Sequence, residues 1–208
     1  MARKAASKYP NARSTTTNDG RSRLRFATEN EDIQMSTYKG TDDCTDLLLD
    51  FIAEPESAGN YNAVIGNAQS TRDLSVLNLA EIDALMTNLL ENGQPSTAVG
   101  RYQIIRATMR TLKEELQLTD DVKFTPELQD RMAVQLLTGR GYSSWWSGAI
   151  SDTTLAHGLS CEWASFPDPR NGGQSHYDGI AGNHAGTTLL AVFATLRAAK
   201  ALQPKEIA

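Results

Sequence analysis

Leu47, Leu48, Leu49, Phe51 and Ile52 place five large apolar side chains within six positions. At about 100° per residue they wrap nearly all round a helix, so that helix is stable only when other elements cover most of its surface. Thr41, followed by Asp42 and Asp43, offers an N-cap and a negatively charged first turn. Pro55 disfavours helical geometry at Glu54 and predicts a stop there, which sets Glu56 just past the helix C-terminus. A chain with this segment must build its domain around a buried helix.

The downstream sequence supplies the covering elements. Asn78 with Glu81 has the spacing of a capping box, and the periodic stretch Leu79 to Leu90 closes at Gly93. Tyr102 to Leu116 is amphipathic. Thr125-Pro126 is an N-cap followed by proline at the first helical position, and that helix closes at Gly139. Ser151 opens a segment that Pro167 must end, and Thr187 to Leu202 reads as a last helix. Between them, 57–76 carries Gly, Asn and Ser among short β-branched or aromatic pieces, a loop or small β-hairpin. The expectation is a mostly α domain with five to seven helices, one small β-hairpin and no repeats.

Charge divides the chain unevenly. Residues 1–26 hold seven basic groups against one acid, a net +6, whereas the remainder holds thirteen against twenty-four, a net −11. The front segment is rich in Ser, Thr, Asn and Ala and lacks the aliphatics to fold alone. The reading is therefore an arm over 1–40, solvated or docking, ahead of a domain over 41–208. A length of 208 residues suits one such domain. The overall charge of −5 argues against general polyanion binding, leaving the arm as the sole support for a nucleic-acid contact. No apolar run reaches membrane-spanning length, and the first residues lack the apolar stretch of a secretory signal. Two cysteines, Cys44 and Cys161, exclude a disulfide scaffold and a four-cysteine zinc site. His157, His176 and His184 show no metal-ligand motif and read as surface or cap residues, so neither metal nor cofactor is expected. Asp168, Asn171 and Asp178 lack the alternation of a calcium loop.

Glu56 is the candidate reactive carboxyl. A carboxyl at a helix C-terminus feels the negative end of the helix dipole, and apolar surroundings disfavour its charge further. A raised pKa is what a general acid needs at neutral pH. Glu54 is the competitor, but two residues along a helix would turn it about 200° away. A glutamate after a helix is also a common chance placement.

The stretches LLLDFIAEPESAGNYNAV and STAVGRYQII, read in order, resemble the lysozyme-like superfamily. They resemble most the bacteriophage endolysins and virion-associated muralytic enzymes of the lambda lytic transglycosylase type. In that family an apolar helix delivers one catalytic Glu followed by Ser or Gly, here Glu56-Ser57. A later G-[RL]-[YM]-Q turn shapes the saccharide site, here Gly100-Arg101-Tyr102-Gln103. LQDRMA at 128–133 and EWASFP at 162–167 extend the likeness across roughly 42–200.

The resemblance implies an α+β lysozyme-like fold with the hairpin beside the cleft. It also implies cleavage of the MurNAc–GlcNAc β-1,4 bond of peptidoglycan, with no cofactor. A hydrolase would add a second carboxylate, for which Asp73 is the candidate beside its reading as a solvated loop acid. A lytic transglycosylase manages with Glu56 alone. Ser57, Tyr102, Gln103 and Tyr177 are the candidate substrate-binding residues, each with a packing or turn role as its ordinary alternative. Trp163 and at least one of Trp145 and Trp146 read as core. The implied setting is a phage virion or host cytoplasm before release, with action at the cell wall and a virion protein held through residues 1–26. The rivals are a hydrolytic muramidase and an inactive virion structural or glycan-binding protein.

Overall fold

The computed structural model describes residues 43–180 and 182–202, with the backbone of Ser14–Thr16 and Ser22–Leu24. The chain divides into two units, Met1–Gly40 and Thr41–Ala208. In the first, β1 (Ser14–Thr16) pairs antiparallel with β2 (Ser22–Leu24), Thr15 opposite Arg23. Most of the basic arm, and so its docking role, falls outside the described residues.

The second unit is helical: α1 (Asp43–Ser57), α2 (Leu79–Glu91), α3 (Arg106–Glu115), α4 (Pro126–Gly139), α5 (Tyr142–Trp146), α6 (Asp152–Ser160) and α7 (Leu189–Ala201). Helix α1 packs against α7 and α4, and α6 packs on α7. Leu48, Leu49, Ile52 and Ala53 of α1 are buried in one core with Phe124, Met132, Leu137, Trp145, Phe166 and Leu196. Trp163 belongs to the same core, whereas Trp146 lies partly buried against it. Among the described residues no helix is long and apolar enough to cross a membrane.

Local signals set several of these ends. Asn78 and Glu81 form the reciprocal capping box that opens α2, and Thr125 caps α4 ahead of Pro126. Thr188 caps α7 by accepting from the Ala191 N–H.

Helix α1 departs from expectation by continuing through Pro55 to Ser57. A proline in the last turn removes only one backbone bond. The chain recovers at once: the Ala58 N–H donates to the Glu54 carbonyl at 3.0 Å and the Gly59 N–H to the Ala53 carbonyl at 3.3 Å. Positive φ at Ala58 (50°) and Gly59 (76°) then ends the helix. Glu56 therefore sits inside the last turn rather than beyond it.

The segment 57–76, expected as a loop or small β-hairpin, is a loop whose one isolated antiparallel bridge joins Val64 to Val99. Asparagine side chains take the backbone groups that strands would have used. Asn60 Nδ2 donates to the carbonyls of Ala68 and Ser70, and Asn62 Oδ1 accepts from the Leu74 N–H. Helix α3 likewise begins at Arg106, not Tyr102, because 99–104 fold back in a tight turn closed by paired Val99–Ile104 backbone bonds.

Candidate active site

Three segments meet around the end of α1. The buried face of that helix turns Glu56 inward while Glu54 stays exposed, as two residues of helical rotation require. Glu56 is half-buried, and the Ser165 hydroxyl donates to its Oε1 at 2.5 Å. Burial pushes the Glu56 carboxyl above its ordinary value; hydrogen bonds from the Ser165 hydroxyl and backbone oppose that without cancelling it. The result is a carboxyl biased toward holding its proton, with one donor trained on the oxygen that carries the charge after release.

Ser165 is held in turn by the end of the long glycine-rich loop. The Gly186 N–H donates to the Ser165 carbonyl at 2.8 Å. A Cβ at Gly186 would approach the Pro55 Cβ to 3.1 Å, so glycine lets this loop close on the turn that carries Glu56.

The turn 100–103 forms the second wall. Gly100 has φ of 77°, and a Cβ there would lie 2.4 Å from the Gln129 Oε1. Gln129 on α4 is buried; its Oε1 accepts from the Arg101 N–H at 2.9 Å and its Nε2 donates to the carbonyls of Tyr61 and Phe124. Buried backbone groups of irregular segments need such partners, and one amide side chain serves three of them, from three separate segments.

Arg101 is the hub of this wall. Its guanidinium donates to Asp50, to the Tyr61 hydroxyl at 3.1 Å and to the Tyr102 hydroxyl at 2.9 Å, and lies over both tyrosine rings. Both hydroxyls donate to Asp130, at 2.9 Å and 2.6 Å. Burial and the Asp130 charge push the Tyr61 phenol up to about 12 and raise Tyr102 as well. Both stay protonated at neutral pH and act as fixed donors.

The candidate substrate residues are placed as follows. Ser57 is buried and its hydroxyl donates to the Arg101 carbonyl at 2.7 Å, tying the turn to α1 beside Glu56. Tyr102 is 1% exposed, with its carbonyl accepting from Trp163 Nε1 at 3.2 Å. Its ring is wall, with no face open for a sugar to stack on. Gln103 has φ of 47° and spends its amide on the Gly66 N–H and the Gly100 carbonyl. Tyr177 is half-buried; its hydroxyl donates to the Cys161 carbonyl at 2.7 Å and its ring meets His176 edge-on. Asp73 is exposed and accepts from the Ser75 N–H and hydroxyl, which hold its carboxyl below the usual range. Two open surface depressions lie along α2 and α3, and neither is lined by Glu56.

Sequence reading missed Arg101 as an organising residue and missed Asp50, Tyr61, Gln129 and Ser165 altogether. All four lay inside quoted stretches, Asp50 and Tyr61 in LLLDFIAEPESAGNYNAV, Gln129 in LQDRMA and Ser165 in EWASFP, without being singled out. His176 and His184 are exposed, in keeping with the surface reading, but two of the three histidines also share a partner. His157 and His176 converge on the buried Asp168, each Nδ1 at 2.9 Å from one of its oxygens. Burial works to raise that carboxyl, but hydrogen bonds from His176, the Arg170 N–H and His157 outweigh it and hold it near about 2.

No curated protein and no solved structure matches the chain. The family model described as Endolysin matches residues 52–196, a span that takes in Glu56, the 100–103 turn, Gln129 and Ser165. With that match over most of its length, the chain belongs to the endolysin family, phage enzymes that degrade the bacterial cell wall.

Proposed function

We propose that this chain cleaves the MurNAc–GlcNAc β-1,4 bond of peptidoglycan as a lytic transglycosylase, with Glu56 as acid and then base. The observation that carries the reading is the half-buried Glu56 carboxyl with a raised pKa and the Ser165 hydroxyl on its Oε1. The protonated carboxyl donates to the glycosidic oxygen as the bond to the MurNAc C1 breaks. The carboxylate left behind, steadied by Ser165, takes the proton of the MurNAc C6 hydroxyl while that oxygen closes on C1. The product is a 1,6-anhydro-MurNAc end, and Glu56 regains its proton. Desolvation favours the first half and the Ser165 bond the second.

The one-carboxyl form is favoured over hydrolysis because Asp73 is exposed and its Oδ1 is taken up by the Ser75 N–H and hydroxyl. A general base for water needs a carboxylate aimed across the bond. Attachment to the virion is part of the same reading, supported by the net +6 of residues 1–26.

Mass spectrometry of purified peptidoglycan digested by the wild type and by Glu56→Gln tests the chemistry. Anhydro-MurNAc ends from the wild type, lost by about two to four orders of magnitude in the variant, are expected. Reducing ends would replace this reading with a hydrolytic muramidase. No cleavage by wild type would leave a lysozyme-like structural or glycan-binding part. Proteomics of purified particles tests the arm, and its absence there would refute virion carriage.

A further inference from the structure

His157 and Cys161 stand four residues apart and so share one face at the end of α6, and the glycine-rich loop returns His176 to the same place. One ligand-type atom from each of the three lies within 4.8 Å of the others. Cys161 Sγ is 3.6 Å from His157 Nε2. Two atoms bound to one zinc at roughly 2.3 and 2.1 Å with tetrahedral angles stand about 3.6 Å apart. That pair therefore already has the separation a shared zinc ion imposes.

Asp168 makes the arrangement more than a coincidence of three side chains. It is 2% exposed, and its two oxygens each meet a different histidine Nδ1 at 2.9 Å. A carboxylate accepts, so each Nδ1 carries a proton, and it is Nε2 of the neutral ring that offers a lone pair to a metal. One buried carboxylate thus fixes two imidazoles in the metal-binding tautomer. The Arg170 N–H donates at 2.8 Å to Asp168 Oδ1, the oxygen that faces His157, which holds Asp168 in place as the orienting group.

We propose that His157, Cys161 and His176 bind a zinc ion through two Nε2 atoms and one thiolate, with water in the fourth position on the side where His176 is exposed. Two nitrogens and a sulfur suit zinc over the harder magnesium or calcium ions. Binding releases the Cys161 thiol proton to solvent and forms the zinc–sulfur bond with no redox change. The ion joins the end of α6 to the loop that follows, and Ser165 lies between those two anchors in the chain. Zinc there steadies the segment that presents Ser165 to Glu56.

The rival reading is a Cys161–His157–Asp168 nucleophilic triad. It is disfavoured because the thiol sits at the C-terminal end of α6, where the dipole opposes thiolate formation. A triad also leaves unexplained why Asp168 orients His176 as well as His157.

The full-length chain, stripped with a chelator and dialysed, is titrated with Zn²⁺ alone against a chromophoric competitor. Cobalt then replaces zinc to report thiolate ligation by its charge-transfer absorption. One equivalent of zinc, a sulfur-to-cobalt band and a raised melting temperature are expected. Cys161→Ser and His176→Ala should each weaken zinc affinity at least tenfold and the first should abolish the band. His184→Ala, outside the cluster, should bind as the wild type does. Both test positions are partly exposed, and circular dichroism of the metal-free variants checks that they fold. Failure of the wild type to bind zinc stoichiometrically overturns the proposal, as does wild-type affinity in folded Cys161→Ser or His176→Ala. Rapid alkylation of Cys161 in a protein that ignores zinc overturns it in favour of the triad.

Discussion

Replacing Ser165 by alanine should raise the pKa of Glu56 further. The Ser165 hydroxyl donates to Oε1 at 2.5 Å. Such a bond stabilises the carboxylate relative to the acid, so its loss moves the titration upward. Hydrogen bonds to charged groups are worth about 1.5–3 kcal/mol, and one pKa unit corresponds to about 1.4 kcal/mol. Full loss would therefore move the midpoint by about one to two pH units. The Ser165 backbone contribution survives the substitution and Glu56 is half-buried, so water can replace part of the lost bond. The lower end, about one pH unit, is expected.

Carboxyl carbon shifts of labelled Glu56, followed by NMR across a pH titration of wild type and Ser165→Ala, measure this without reference to activity. In the enzyme, the alkaline limb of kcat/KM reports the protonated acid and should move the same way. The Ser165 carbonyl that receives the Gly186 N–H is untouched, so the loop should keep its place. An unchanged or lowered Glu56 midpoint in a folded variant would refute the argument that Ser165 tunes this carboxyl.

Glu56→Gln should be more stable than wild type at neutral pH, because burial disfavours the charged carboxyl. A raised folded pKa means stability falls as pH rises from about 4.5 through the folded value, so the variant's advantage should vanish below pH 4.5 in urea titrations. Gly100→Ala should cost about 3–5 kcal/mol by chemical denaturation, combining left-handed strain with displacement of the buried Gln129 amide; a loss under 1 kcal/mol, or about that, would show that the turn yields easily. Asp83, bridged by Arg106 and Arg110, has its carboxyl held well below the usual range, the side-chain bonds leading the effect. Asp83→Asn should therefore cost about 1 kcal/mol above pH 4, allowing for the exposure of Arg110, and the difference from wild type should fade as pH drops through the depressed value.

What could be read ahead of the structure was local. The capping box at Asn78 and Glu81 and the Thr125-Pro126 start each lie within four residues, and the backbone there obeys the nearest side chains. Pro55 was misleading because a proline penalty depends on how much helix remains after it. The Arg101 wall was illegible because its partners Asp50, Tyr61 and Asp130 lie 51, 40 and 29 residues away. His157 and Cys161 carry a visible four-residue spacing, but His176 reaches them only through a loop whose path no periodicity encodes.

The polar side chains proposed around the site share one physical task. Motif reading treats a polar side chain beside a reactive carboxyl as reaching for substrate. In this chain Ser57, Gln103 and Tyr177 spend their polar atoms on backbone carbonyls and N–H groups of turns. Most of the region between α1 and α2, and between α6 and α7, is irregular, and buried backbone there must be satisfied by something. Substitutions at these positions should therefore lower stability and turnover together, since the turn that shapes the wall loosens. Glu56→Gln should separate the two, removing turnover while raising stability. That opposition distinguishes a group that meets the substrate from the groups that hold it in place.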